Sequence, residues 1–108
     1  MAENWRSLGL ITVTTAGTPV QVTTSKTPCH AILLQAKPGN VGLTFVGTSN
    51  MVKATYVGVN AVIGIPTDTV IPSVHASVPA ANNAIDASKV WVDANTSGEG
   101  VIVSIIEG

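Results

Sequence analysis

A chain of 108 residues with a net charge of −1 has room for one small domain and one modest core. Hydrophobic residues make up 45%, aromatic residues 4% and charged residues 10%, so the apolar mass is Val, Ile and Ala, and charge falls far below the ~25% usual for a soluble domain. The five cations, Arg6, Lys26, Lys37, Lys53 and Lys89, form no cluster, which disfavours nucleic acid as a partner, and the single cysteine, Cys29, excludes an internal disulfide framework.

The opening "MAENWRSLG" has no apolar signal-peptide core. No apolar run approaches the ~20 residues that a membrane span needs. The expectation is a protein made in the cytoplasm, with no membrane partner. So little charge on a free surface also points to a surface largely covered by other protein.

Met1 to Ser7 is polar and too short for a stable helix. It reads as an N-terminal arm, 1–7, ahead of a single domain, 8–108. The arm carries Trp5 beside Arg6, two residue types enriched in binding hot spots. The expectation is that it leaves the domain and docks on a neighbour.

The first strand is expected at Leu8 to Thr15. Ala16-Gly17-Thr18 turns the chain, and Pro19 opens a second strand, Val20 to Thr24, where a missing N–H is tolerated. In Val20-Gln21-Val22-Thr23 the valines share one face. A third strand follows at Ala31 to Ala36, a turn at Lys37 to Asn40, and a fourth strand at Leu43 to Gly47. Beyond it one more strand is expected near Ala61 to Ile65, and the run Thr69 to Val78 is broken by Pro72. Pro79 to Lys89 reads as a loop, with at most a short helical turn at Asn83 to Ser88. Val90 to Asp93 is a strand, Ala94 to Gly100 a turn, and Val101 to Ile106 the last strand.

Seven or eight short strands with regular turns make an all-β protein, a compact antiparallel β-sandwich or jelly roll. In the last strand Val101, Val103 and Ile105 share one face, and Ile102, Ser104 and Ile106 share the other. A sheet with one wet face should alternate apolar and polar. This strand is apolar on both sides, which makes Ile102 and Ile106 interface candidates unless a loop of the same chain covers them. Trp91 should face outward, because Val90 and Val92 share the core side; an outward Trp suits an interface anchor.

Chemistry-bearing groups are sparse. Neighbours on a strand point to opposite faces, so Cys29 and His30 cannot easily form a nucleophile–base pair or share a metal. Adding His75 gives no zinc-ligand spacing. Asp93, Asn95, Ser97 and Gly98 match the opening of a calcium loop, but its twelfth position, normally Glu, is Ser104. A polar turn explains the same residues. Asp68, Asp86, Asp93, Glu99 and Glu107 lie in or beside turns and ends, where solvated carboxylates are normal. Trp5, Phe45, Tyr56 and Trp91 are too dispersed for a sugar platform. The expectation is no enzyme, no catalytic residue, no metal, no cofactor and no small-molecule substrate.

The segments "GLITVTTAGTPVQVTT", "AILLQAKPGNVGLTFVGTSNMV" and "KVWVDANTSGEGVIVSIIEG" together resemble small structural proteins of tailed bacteriophages. In that group a "V-T-V-x-T-A-G-T-P-V" hairpin precedes "A-x-P-G-N-x-G-x-x-x-V-G", and the chain ends in a "V-x-V-D-A…G-x-G-V-x-V" hairpin. Here these fall on Ile11 to Val20, Ala36 to Gly47 and Val90 to Val103, so the resemblance spans nearly the whole chain. It implies a virion protein on the capsid surface, a decoration or cement protein that acts as a homotrimer and bridges capsomers of the major capsid protein. The resemblance also admits a tail, neck or baseplate component. A carbohydrate- or calcium-binding β-module is the alternative from a different class. The family brings no catalytic residues to transfer.

Overall fold

Short β-branched runs separated by Gly, Pro and Asn leave the backbone few options besides strands and tight turns. The computed structural model describes residues 4–66, 70–77 and 85–107. They form β1 (Asn4–Thr12), β2 (Val20–Gln21), β3 (Pro28–Cys29), β4 (Ala31–Ala36), β5 (Thr44–Val52), β6 (Val57–Ile63), β7 (Ser73–Ser77), β8 (Ile85–Asp86), β9 (Trp91–Ala94) and β10 (Gly100–Glu107). A single 3-10 turn, Ala87–Lys89, stands between β8 and β9, and no α-helix occurs among the described residues. The protein is nearly all β, as expected.

The strands build two four-stranded antiparallel sheets, ordered β1-β10-β4-β7 and β2-β9-β5-β6, and a small ribbon of β3 with β8. Both sheets feed one core. Val101, Val103 and Ile105 of β10 pack with Ile32 and Leu34 of β4 from the first sheet, and with Val46, Ile63, Val92 and Ala94 from the second. Each such aliphatic group contributes ~1.5–3 kcal/mol when removed from water. With few aromatic side chains available, β-branched groups fill the space.

The strand at Ala31–Ala36 and the turn after it fall where the sequence places them; Asn40 N–H closes that turn on the Lys37 carbonyl at 3.1 Å. Other boundaries move. β1 begins at Asn4, so residues 4–7 are rungs of the sheet and not an arm outside it: Asn4 pairs with Glu107, Trp5 with Ile106, Arg6 with Ile105 and Ser7 with Ser104. Ladder bonds use backbone groups, so a polar stretch can join a strand without an apolar pattern to announce it. Residues 1–3 lie outside the described residues. β5 runs on to Val52, β6 starts at Val57 ahead of the expected Ala61, and the two-residue β3 and β8 carry no alternation long enough to read. β7 opens directly after Pro72, whereas residues 67–69 and 78–84 lie outside the described residues.

A larger correction concerns connectivity. The stretches around Ala16–Thr18 and Asn95–Gly98 were expected as hairpin turns. Instead, each carries the chain from one sheet to the other, because β1 pairs with β10 while β2 pairs with β9. Gly17 takes the left-handed φ of +92° that this turn needs. Two strands around a Gly-rich turn look alike in sequence whether they pair with each other or cross between sheets.

Candidate interaction surface

The bulge between Ser7 and Gly9 resets the alternation of β1. It sends Ile11 inward and Leu10 outward, opposite Ile102. Trp5 stands opposite Ile106 on the same outer side, and Leu33 of β4 stands opposite Ser104 between these two rows. On β1, β10 and β4 this outer face is mostly apolar, with Ser7, Ser104 and Gln35 as polar members, while on β7 Ser73 stands opposite Gln35 and the His75 position opposite Leu33. Trp5 is 64% exposed and Leu10 51%; Leu33, Ile102 and Ile106 are half-buried. Arg6 reaches across the β1–β10 ladder to Glu107, Nη1 to Oε2 at 3.4 Å. Both groups are partly exposed, so the pair is worth little on its own.

Three of the five interface candidates, Trp5, Ile102 and Ile106, share this outer face, whereas Arg6 stands opposite core residue Ile105 and belongs to the other face of β1. Trp91 does not join them. It belongs to the second sheet, half-buried between Gly47 and Gln21 on the face opposite core residue Val92, and it faces outward as expected. Leu10 and Leu33 escaped the sequence reading. Leu10 could have been found only by placing the bulge at Gly9.

The outer face of the second sheet is built differently. Phe45 lies on it, opposite Val62 and Asp93, yet is only 3% exposed. The far end of the β5–β6 hairpin covers it: the Tyr56 ring sits 6.2 Å from that of Phe45 at 48°, and Lys53 Nζ donates to the Ala94 carbonyl at 3.0 Å. Gly47 makes this bend feasible, because a Cβ there would meet the Gly58 carbonyl oxygen at 2.0 Å. Phe45 and Tyr56, expected as dispersed, are a contacting pair.

Three carboxylates expected to be solvated are spent on backbone N–H groups. Glu99, largely buried, accepts from the Val41 N–H and, at 3.0 Å, from the Gly42 N–H. Asp93, fully buried, takes the Gly17 N–H at 2.9 Å and the Ala94 N–H at 2.8 Å, both on Oδ1. Asp86 Oδ1 accepts from Thr27 N–H, Ser88 N–H and the Ser88 hydroxyl at 3.0, 3.0 and 2.8 Å. The Thr27 N–H chiefly, then Ser88, holds the Asp86 carboxyl below the usual carboxylate range. Each of these side chains ties together connections that are distant in sequence.

The calcium-loop residues are engaged in the same way. Asp93 Oδ1 already holds two N–H groups, and Ser97 Oγ accepts from the Ala16 N–H at 2.9 Å. They fasten the Ala16–Gly17 turn to the end of β9. Among the described residues no group of three or more His, Cys, Asp or Glu is arranged to hold a metal ion. Cys29 is buried, and burial first, then the Asp86 and Glu107 charges, push its thiol up, away from the thiolate that nucleophilic chemistry needs. The His75 side chain lies outside what is described. No helix among the described residues is long and apolar enough to cross a membrane. Compared with family models, with curated proteins and with solved structures, the chain has no match.

Proposed function

We propose that this chain is a decoration protein of a tailed bacteriophage, which sits on the capsid surface of the virion as a homo-oligomer and bridges capsomers of the major capsid protein. Its action is adhesive and not catalytic. The observation that carries the reading is the nesting of its strand pairs. β1 pairs with β10, β2 with β9, β3 with β8, β4 with β7 and β5 with β6. We read this as a single long antiparallel ribbon, rolled so that β10 also meets β4 and β9 also meets β5, which supports a jelly roll as the fold. Each of the three segments carrying the resemblance spans a passage of the chain between the two sheets.

The side-chain inventory supports the same reading. Asp86, Asp93 and Glu99 are committed to backbone donors, and many large apolar side chains, Trp5, Val41, Tyr56 and Val57 among them, are exposed. Such a surface holds partners through buried area, and repeated copies multiply weak contacts.

The test is to add the purified protein to capsids that lack it, sediment them, and image the pellet by cryo-electron microscopy. Regular density at capsomer boundaries is expected. Failure to co-sediment would sink the proposal, and density at the neck or tail would move the protein to those structures.

A further inference from the structure

We infer that the protein meets the capsid with one end of the molecule, where four passages of chain cross side by side between the sheets, and that the occupant of this end is the folded outer surface of the shell. This rests on the functional reading above and names the surface that does the binding.

The strand orders place the four passages. In β1-β10-β4-β7 and β2-β9-β5-β6, the chain joins each strand to the one at the same position in the other sheet. β1 reaches β2 through 13–19, β9 reaches β10 through 95–99, β4 reaches β5 through 37–43 and β6 reaches β7 through 64–72. The register puts all four at one end. Thr12 stands opposite Gly100, Val101 opposite Ala36, Gln35 opposite Ser73, and Thr44 opposite both Ala94 and Ile63.

Connections are usually the most mobile part of a surface. Here they are fastened to one another. The 95–99 passage lies between two others and binds both: Gly98 N–H donates to the Val13 carbonyl at 2.8 Å, and Asn95 N–H to the Leu43 carbonyl at 3.0 Å. Its side chains repeat the pattern, Ser97 Oγ taking the Ala16 N–H and Glu99 the Gly42 N–H. The fourth passage is tied in by Pro72, whose carbonyl accepts from Ala36 N–H at 3.1 Å. A surface fixed before contact loses little entropy when it docks on a rigid partner.

The chemistry of this end fits a protein surface. Val41 is 71% exposed, Val70 59%, Ile65 49% and Ile71 44%, so two neighbouring passages present apolar groups. The 13–19 passage adds the exposed Thr15 and Thr18. Lys37 is half-buried, with Nζ 3.5 Å from the Gly98 carbonyl, and Asp68 lies outside the described residues. An apolar patch with a polar margin is the build of a protein–protein interface. The size matches too: the four passages together hold a number of residues within the roughly 20–30 that a standard interface engages on each side.

Symmetry selects the shell over a sister copy. Copies related by an axis meet through their sides, and each turns the same surface along that axis. With the loop end on the shell the strands stand upright, and the outer faces of both sheets, which carry Trp5 and Tyr56, point sideways toward sister copies.

The experiment is capsid co-sedimentation with Val41→Lys and Thr15→Lys, one on each of two passages, beside Ser25→Lys as a control. Ser25 is exposed just ahead of β3, and β3 leads into the far end of β4. Each loop-end variant should lose at least tenfold in capsid affinity, keep the oligomeric state of the wild type in sedimentation velocity, and unfold at the same temperature. Ser25→Lys should bind as the wild type does. Cryo-electron microscopy of capsids decorated with the wild type should show the loop end against the shell, a reading that needs no variant to fold. Loop-end variants that bind normally, a change of oligomeric state in them, or density with this end turned away from the shell would each overturn the inference and leave the functional reading standing. A wild type that does not co-sediment sinks both.

Discussion

The two sheets bury their inner faces alike and treat their outer faces in opposite ways. The second sheet folds its own hairpin over Phe45, which ends 3% exposed, and Met51 within that hairpin is 4% exposed. Among the described residues the first sheet has no such cover, and Trp5 stays 64% exposed. The difference comes from chain length beyond the ladder. β5 and β6 run past the Gly47 rung and can bend back, whereas β1 and β10, apart from the bulge between Ser7 and Gly9, stay paired up to Asn4 and Glu107. An aromatic side chain on an outer face is thus a stability element on one sheet and a free surface on the other.

Replacing Phe45 with Ala gives the largest expected effect. It removes a buried ring and its contact with Tyr56, and should cost about 3–5 kcal/mol. Urea unfolding followed by Trp fluorescence measures it. A loss near zero would mean the hairpin does not cover the second sheet in solution, and the contrast between the sheets would fall.

Next comes Glu99→Gln. Two backbone N–H groups, of Val41 and Gly42, point at separate oxygens of Glu99. Gln offers one acceptor and turns an NH2 toward the other donor, so about 1–3 kcal/mol should be lost. Hydrogen exchange should speed most at Val41 and Gly42. If exchange there is unchanged, the carboxylate is not what holds this turn.

What the sequence disclosed follows from what alternation and turn chemistry encode. Ala31–Ala36 was legible because its flanks are unambiguous, Pro-Cys-His before it and Lys-Pro-Gly-Asn after it. Val101, Val103 and Ile105 were legible as a buried face because period two is strict there, and all three are fully buried. Partner choice was not legible. Whether β1 pairs with β2 or with β10 depends on contacts about a hundred residues apart, as between Trp5 and Ile106, and no local signal carries that. The carboxylates were misread for a related reason. Asp and Glu near turns are usually solvated, and burial of Asp93 and Glu99 depends on which distant backbone N–H arrives. Of the candidate surface, Trp5, Ile102 and Ile106 could be named from residue type, whereas Leu10 required the bulge.

Acid should loosen the end of the molecule where β3 pairs with β8. The Asp86 carboxyl titrates below its usual range in the folded protein, held there first by the Thr27 N–H and then by Ser88. A depressed folded value means that the unfolded chain takes up the proton first as pH falls. The stability Asp86 contributes is therefore fully present above the ordinary carboxylate value near 4 and disappears as pH falls through the lower folded value. Thermal unfolding between about pH 5 and pH 2 should show this decline, and Asp86→Asn should flatten part of it. An unchanged acid limb in Asp86→Asn would show that other carboxylates account for the loss.

The smallest effect is the one that most sharpens the contrast. Trp5→Ala removes the largest side chain of the uncovered face. Its ring is mostly in water already, and its place in the ladder depends on the backbone, which Ala keeps. The stability of the isolated subunit should change by no more than about 0.5 kcal/mol, as for surface positions generally. Deleting residues 1–7 is a different operation, since it also removes the rungs from Asn4 to Ser7 and leaves one side of β10 unpaired there. The deletion should destabilise the subunit, whereas Trp5→Ala should not. Comparing both by thermal unfolding at low protein concentration, where association is negligible, separates side chain from strand. A loss of several kcal/mol from Trp5→Ala alone would mean that the indole packs on its own subunit, and the first sheet would then be covered like the second.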